Sequence, residues 1–189
     1  TGRGGDANTH NLPLKSGKGS AYEGGIREPM IVSWPGTTKK EWVCEDYLII
    51  EDFYPTILEM AQVKRVKTVQ PVDGKSFIPL LTGKGKNPSL NRALYWNTPN
   101  NWGPTGPGIA ATCAIRQGDW KLIYYYETGA KELFNLKDDL GEATNLALTN
   151  PEKVNELSGK LGKFLRKSGG QRPSFKATGK PAPWPDETF

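Results

Sequence analysis

Short apolar runs cut off by turn residues dominate the second half of the chain. Residues 111–115 and 120–126 are two such runs, joined by Arg116, Gln117, Gly118 and Asp119. A third, residues 132–136 (ELFNL), follows a turn at Thr128-Gly129. Runs of this length between glycine and polar residues predict strands, and joins this short predict antiparallel neighbours, so the region reads as a meander. Ahead of it, residues 93–96 are a short apolar stretch before a loop rich in Gly, Pro and Asn. Past residue 150 the spacing becomes helical, with Val154, Leu157, Leu161, Phe164 and Leu165 on one stripe. Asn150 is placed to cap that helix, Pro151 takes the first position where no N–H is needed, and Glu152 faces the dipole. Lys163, Arg166 and Lys167 load its end, and Gly169-Gly170 stops it. From Gln171 onward the chain is Pro-rich and polar, which predicts an extended wrap or a disordered tail.

The first half is less regular. Residues 30–34 (MIVSW), closed by Pro35-Gly36, predict a buried strand, and residues 47–50 a second extended segment. Asp52 reads as the N-cap of a helix running to about Gln62, with Pro55 in its first turn and Ile57, Leu58 and Ala61 as its sheet-facing side. Residues 73–83 are turn-rich and are expected to lie over the body of the protein.

Composition narrows the picture without deciding it. With 189 residues, 36% of them hydrophobic, the chain can bury a core, and 22 Gly with 15 Pro imply many loops. The net charge of +5 is spread through mixed-sign segments, which reads as a solvated surface. A positive balance without a recognition motif gives no case for nucleic acid. No run approaches the ~18 apolar residues of a membrane span. Cys44 and Cys113 are far apart and in no metal spacing, and whether they pair is left open.

Residues 11–34, NLPLKSGKGSAYEGGIREPMIVSW, are the most informative stretch. Lys18 stands between Gly17 and Gly19, where a backbone can approach a ligand closely. The run Pro13, Leu14, Lys15, Gly17, Lys18, Gly19, Tyr22, Glu23, Gly24, Gly25, Ile26, Arg27, Pro29, Trp34, Pro35, Gly36 resembles a signature of the type I sulfatases (arylsulfatase family). Ile115, Arg116, Gly118, Trp120, Lys121, Leu122 and Ile123 resemble that family's C-terminal hairpin. Glu132, Leu133, Phe134, Glu142, Asn145, Leu146 and Ala147 resemble the strand and acidic loop that follow it. Asp52, Pro55 and Thr56, with Asp73-Gly74 and Pro79-Leu80-Leu81, are similar too. The resemblance implies a fold made of the closing part of a large α/β domain (residues 1–83), a small antiparallel-sheet subdomain with a packed C-terminal helix (84–170) and a Pro-rich tail (171–189).

The family hydrolyses sulfate esters with a formylglycine made from a Cys or Ser in a Cys/Ser-x-Pro-x-Arg motif, together with a divalent metal, usually calcium. Neither cysteine has a Pro two residues on, and Ser33, which has Pro35, has Thr37 where Arg is required. No Asp-Asn dipeptide precedes the Gly-Lys-Gly loop either. The resemblance therefore implies the C-terminal part of a longer enzyme, inactive alone, binding no metal itself and partnered by the missing N-terminal part of its own domain. By the same resemblance Lys18 contacts the sulfate, where a fixed cation stabilises developing negative charge. His10, the sole histidine, and Trp102, in its Gly/Pro/Asn loop, are candidate substrate contacts. Lys15 reads as a surface lysine, and Asp138, Asp139 and Glu142 as a solvated acidic loop. Tyr22, Glu23 and Arg27 read as a structural turn with the two charges paired or backbone-bonded, and Trp120 as core. The substrate implied is a sulfated carbohydrate or aryl sulfate, outside the cytoplasm. The alternatives are a non-catalytic module for anionic glycans, or a phosphonate or phosphate ester hydrolase of the same superfamily.

Overall fold

The computed structural model describes residues 11–65, 67–83, 87, 91–101 and 106–188. Four strands, β1 (Ala93–Thr98), β2 (Thr112–Gln117), β3 (Trp120–Tyr125) and β4 (Lys131–Asn135), form one antiparallel sheet in that order. The two-residue turn at Gly118-Asp119 sets the β2–β3 register, Gln117 opposite Trp120 and Ile115 opposite Leu122. Gly118 supplies the positive φ (59°) that so tight a reversal demands. The meander predicted from the apolar runs is thus present, with β1 as its fourth strand.

Alternation along the strands gives the sheet two covered faces. Cys113, Ile115, Leu122, Tyr124 and Leu133 point to one face and pack against Val154, Leu157, Leu161 and Leu165 of helix α4 (Pro151–Lys167). Phe164, the remaining member of the stripe, is partly exposed and stacks on Tyr95 of β1 with ring centroids 3.8 Å apart. Ala114, Ile123 and Phe134 point to the other face and pack against Tyr22. Helix α4 ends as its glycines predict: Gly169 is left-handed at φ 68°, and the Gly170 amide donates to the Leu165 carbonyl at 2.7 Å. Asn150 does not cap through its side chain; its amide donates to the Leu146 carbonyl instead. The tail is ordered and extended, with Ala182 and Trp184 buried in the helix-side core, so of the two expectations the wrap holds. Trp120 is only partly buried, at the edge of that core.

Contacts divide the chain into two units. The described residues up to 28 belong with those from 93 onward, and residues 29–92 form a second unit. In that second unit a short 3-10 turn (Ile50–Asp52) leads into α2 (Phe53–Met60), and α3 is Ile78–Thr82. Phe77, Leu80 and Leu81 make its core with Val32, Trp34, Leu48 and Phe53. Asp52 is wholly buried and occupies the N-cap position of α2 as expected, but its side chain makes no cap hydrogen bond. Its carboxylate instead takes the Arg92 guanidinium on both oxygens (2.9 and 2.7 Å) and the amides of Ile49 and Lys75. Gly74 is required beside it, because a Cβ there would overlap the Glu51 carbonyl. Two expectations fail here. Residues 30–34 are not a strand, with Ile31 96% exposed, and Ile57 on α2 is exposed rather than facing a sheet. An apolar run takes strand form only beside a hydrogen-bonding neighbour, and no strand among the described residues of this unit offers one.

Candidate functional site

The Gly-Lys-Gly loop is held by the residues that follow it. Tyr22 leads into a single helical turn, α1 (Glu23–Ile26), which folds back beneath the loop. The Gly24 amide donates to the Lys15 carbonyl at 3.1 Å, and the Asn11 side-chain amide donates to the Gly24 carbonyl at 2.7 Å. A Cβ on Gly24 would overlap the carbonyls of Lys15 and Ser16, and one on Gly25 would overlap that of Ser20 and lie 2.7 Å from that of Gly17. Both glycines of the Tyr-Glu-Gly-Gly motif are therefore demanded by backbone packed on backbone. Within the loop Ser16 (φ 64°) and Gly19 (φ 92°) are left-handed, and the Ser20 amide donates to the Gly17 carbonyl at 3.0 Å. The Ser16 hydroxyl ties the loop to the Pro107 carbonyl at 2.8 Å. Lys18 projects from the bend into solvent, with no ion pair or hydrogen bond among the described residues.

Beneath the loop lies a buried cluster of charge. Lys121, on the face of β3 shared with Ile123, is fully buried, its Nζ 3.0 Å from Glu23 Oε1 and 2.9 Å from Glu142 Oε1. The second contact is an ion pair without hydrogen-bond geometry, since that oxygen accepts no hydrogen bond. Arg116, opposite Lys121 in the register, reaches Glu23 Oε2 at 3.2 Å, and Arg27 lies 3.9 Å from the same oxygen. The other oxygen of Glu142 accepts the Glu23 amide at 2.6 Å. Burial raises the Glu142 pKa, and the Lys121 ammonium pulls against that rise. Beside the cluster the Tyr22 and Tyr125 hydroxyls both donate to Glu132 Oε2, at 2.6 and 3.0 Å. Burial holds both phenols protonated, Tyr22 well above the ordinary range.

The structural turn expected of Tyr22, Glu23 and Arg27 is present. Two expectations need correction. Lys15 is not a surface lysine: its Nζ donates to the Glu142 carbonyl at 2.9 Å and sits 4.0 Å above the Tyr22 ring. Glu142 is not part of a solvated loop: it is fully buried, whereas Asp138 and Asp139 are not. His10 and Trp102 lie outside the described residues. Both cysteines are free, and burial pushes the Cys113 thiol up to about 12, which rules it out as a nucleophile near neutrality. The signal for the cluster was present in the pattern: Lys121 occupies an inward position of a strand between apolar residues, and a lysine there demands a buried partner.

This sheet, helix and loop match known proteins. A family model described as N-sulphoglucosamine sulphohydrolase, C-terminal, matches residues 17–170. A sulfatase of Formosa agariphila is 35% identical over 164 residues, covering 84% of this chain and 30% of the relative. Arylsulfatase A of Homo sapiens is 27% identical over 157 residues, covering 83% of this chain and 29% of its own. The crystal structure of Ps i-CgsB in complex with k-i-k-neocarrahexaose superposes with a TM-score of 0.71 at 26% identity, covering 88% of this chain and 34% of that one. The fold is that of the C-terminal part of a sulfatase. This chain belongs to the sulfatase family, and it spans about 30% of the length of the relatives it matches.

Proposed function

We propose that the full-length protein hydrolyses sulfate esters and that Lys18 holds the sulfate group. The observation that carries this reading is the presentation of Lys18: an exposed lysine on a loop against whose backbone Gly24 and Gly25 pack directly, in a chain of the sulfatase family. A preorganised cation stabilises charge that develops on the sulfate as the ester bond breaks, and it needs no rearrangement to do so.

The other catalytic groups are assigned to the remainder of the polypeptide. Among the described residues no three His, Cys, Asp or Glu side chains gather to hold a metal, and the calcium implied by the resemblance is assigned to residues outside them. The formylglycine precursor belongs upstream likewise, and on this reading residues 1–189 are inactive alone. The exposed apolar side chains of residues 29–92, among them Ile31, Val43, Ile50 and Ile57, suit packing against that upstream part. A sulfated carbohydrate is the favoured substrate class, in keeping with the neocarrahexaose bound by the relative of known structure. No helix among the described residues is long and apolar enough to cross a membrane, and an extracytoplasmic location is part of the proposal.

The test is turnover of the full-length protein on aryl sulfates and sulfated oligosaccharides, with matched phosphate esters as controls. Sulfate esters should be preferred, and Lys18→Met should lower turnover by roughly a hundredfold to a thousandfold, ~2.7–4 kcal/mol of barrier, at unchanged melting temperature. Preference for phosphate, or near-normal turnover without Lys18, would overturn the assignment.

A further inference from the structure

The geometry points to Lys121 and Glu142 as positioning residues for the Lys18 loop, an inference that rests on the assignment of Lys18 to the sulfate. The loop has two supports: the segment at Pro107 and Gly108, through Ser16 and Ala21, and this pair. Its first residue, Lys15, is tied through Nζ to the Glu142 carbonyl, and through its own carbonyl to the Gly24 amide of α1. Helix α1 is in turn held at Glu23, whose amide donates to the Glu142 carboxylate and whose carboxylate pairs with Lys121 and Arg116. Lys121 thus bridges two carboxylates, one on the element beneath the loop and one on the segment that grips Lys15. The connection joins residues 98 apart (Glu23 and Lys121), 119 apart (Glu23 and Glu142) and 127 apart (Lys15 and Glu142).

Stability alone does not account for such an arrangement. A buried group of charges is commonly no more stable than apolar side chains filling the same volume, because the desolvation cost offsets the attraction. Apolar packing is, however, non-directional, whereas a hydrogen-bonded ion pair such as that of Lys121 with Glu23 fixes an orientation. Orientation is what a lysine on a flexible stem needs from its backbone, since a displacement of about 1 Å at a catalytic group can cost ~100-fold in rate. The sheet supplies the rigid end of the lever: Lys121 and Arg116 face each other across β2 and β3, the innermost pair of strands.

A double-mutant cycle in the full-length enzyme tests this. Lys121→Met, Glu142→Gln and Lys18→Met are made singly, and each of the first two is combined with Lys18→Met, with kcat measured on an aryl sulfate and folding followed by melting temperature. If Lys121 and Glu142 act through Lys18, their substitution lowers kcat by roughly 10- to 100-fold in the parent but by less than about threefold once Lys18 is gone. Equal losses in both backgrounds would make the cluster a stabilising feature with no bearing on Lys18, and would overturn the inference. Glu142→Gln, which keeps an oxygen to accept the Glu23 amide, serves where Lys121→Met does not fold; failure of both to fold assigns the cluster to folding and overturns the inference as well. Near-normal turnover in Lys18→Met alone is a different failure: it removes the sulfate assignment itself, before the cycle is read.

Discussion

Two lysines three residues apart in the same loop have opposite surroundings, and that difference carries a prediction. Lys18 has its ammonium in solvent, so its removal should leave stability unchanged. Lys15 is half-buried, hydrogen-bonded to the Glu142 carbonyl and set over the Tyr22 ring. Lys15→Met should therefore lower stability by about 1.5 kcal/mol, the low end for a hydrogen bond to a charged group. Its effect on turnover should be far smaller than that of Lys18→Met. Denaturant melts of the full-length protein beside activity on one aryl sulfate check both halves, and a Lys15→Met protein as stable as its parent would contradict the contact. Nothing near Lys15 in the sequence distinguishes it from a surface lysine, because its partner lies 127 residues away. Glu142 is hidden in the same way, since its neighbours Asp138 and Asp139 do form the polar turn that the pattern suggests. Glu23 and Arg27 were legible because they are four residues apart, within reach on a single turn. Lys18 itself is singled out by the match of its surrounding residues to a family signature, not by any property of lysine.

At the level of elements, legibility follows the range of the interactions that make each one. The β2–β3 hairpin and α4 are specified by neighbours in sequence, a tight glycine turn in one and a stripe with its terminal signals in the other, and both stand where the pattern put them. Residues 30–34 and the apolar side of α2 have no neighbouring strand among the described residues of their unit, so the apolar pattern announced burial that those residues do not supply. Asp52 is the intermediate case: a carboxylate before a helix usually caps it, but here a partly buried arginine 40 residues on takes the same oxygens. For α4 the packing has a measurable consequence. Leu161 is fully buried in the centre of the stripe against the sheet. Leu161→Ala should cost roughly 2–5 kcal/mol by lost burial and the cavity left behind. Phe164→Ala, at a partly exposed position, should cost less. Equal losses in chemical denaturation would mean that the helix does not pack by this face.

For the molecule as a whole, the buried cluster links stability to pH. The native state binds a proton at Glu142 more tightly than the unfolded chain does, because burial outweighs the attraction of Lys121. This contribution to stability is fully present below the ordinary glutamate pKa of about 4.3 and is lost as pH rises through the higher native value. Glu142→Gln removes that one titration. The melting temperature of the parent relative to the variant should therefore fall as pH is raised from about 4, and a constant difference across the series would refute the assigned direction. The same cluster also governs the order in which the molecule can assemble. Glu23 meets Lys121 only after the whole of residues 29–92 has been looped out between them, a closure whose entropic cost precedes any gain from the contact. The hairpin and α4 can form from local contacts, but the loop that carries Lys18 has nothing to rest on until they have done so. Contact order therefore predicts that the loop carrying Lys18 takes its shape only after the sheet has formed, so a chain interrupted part-way would keep the sheet without the shaped loop.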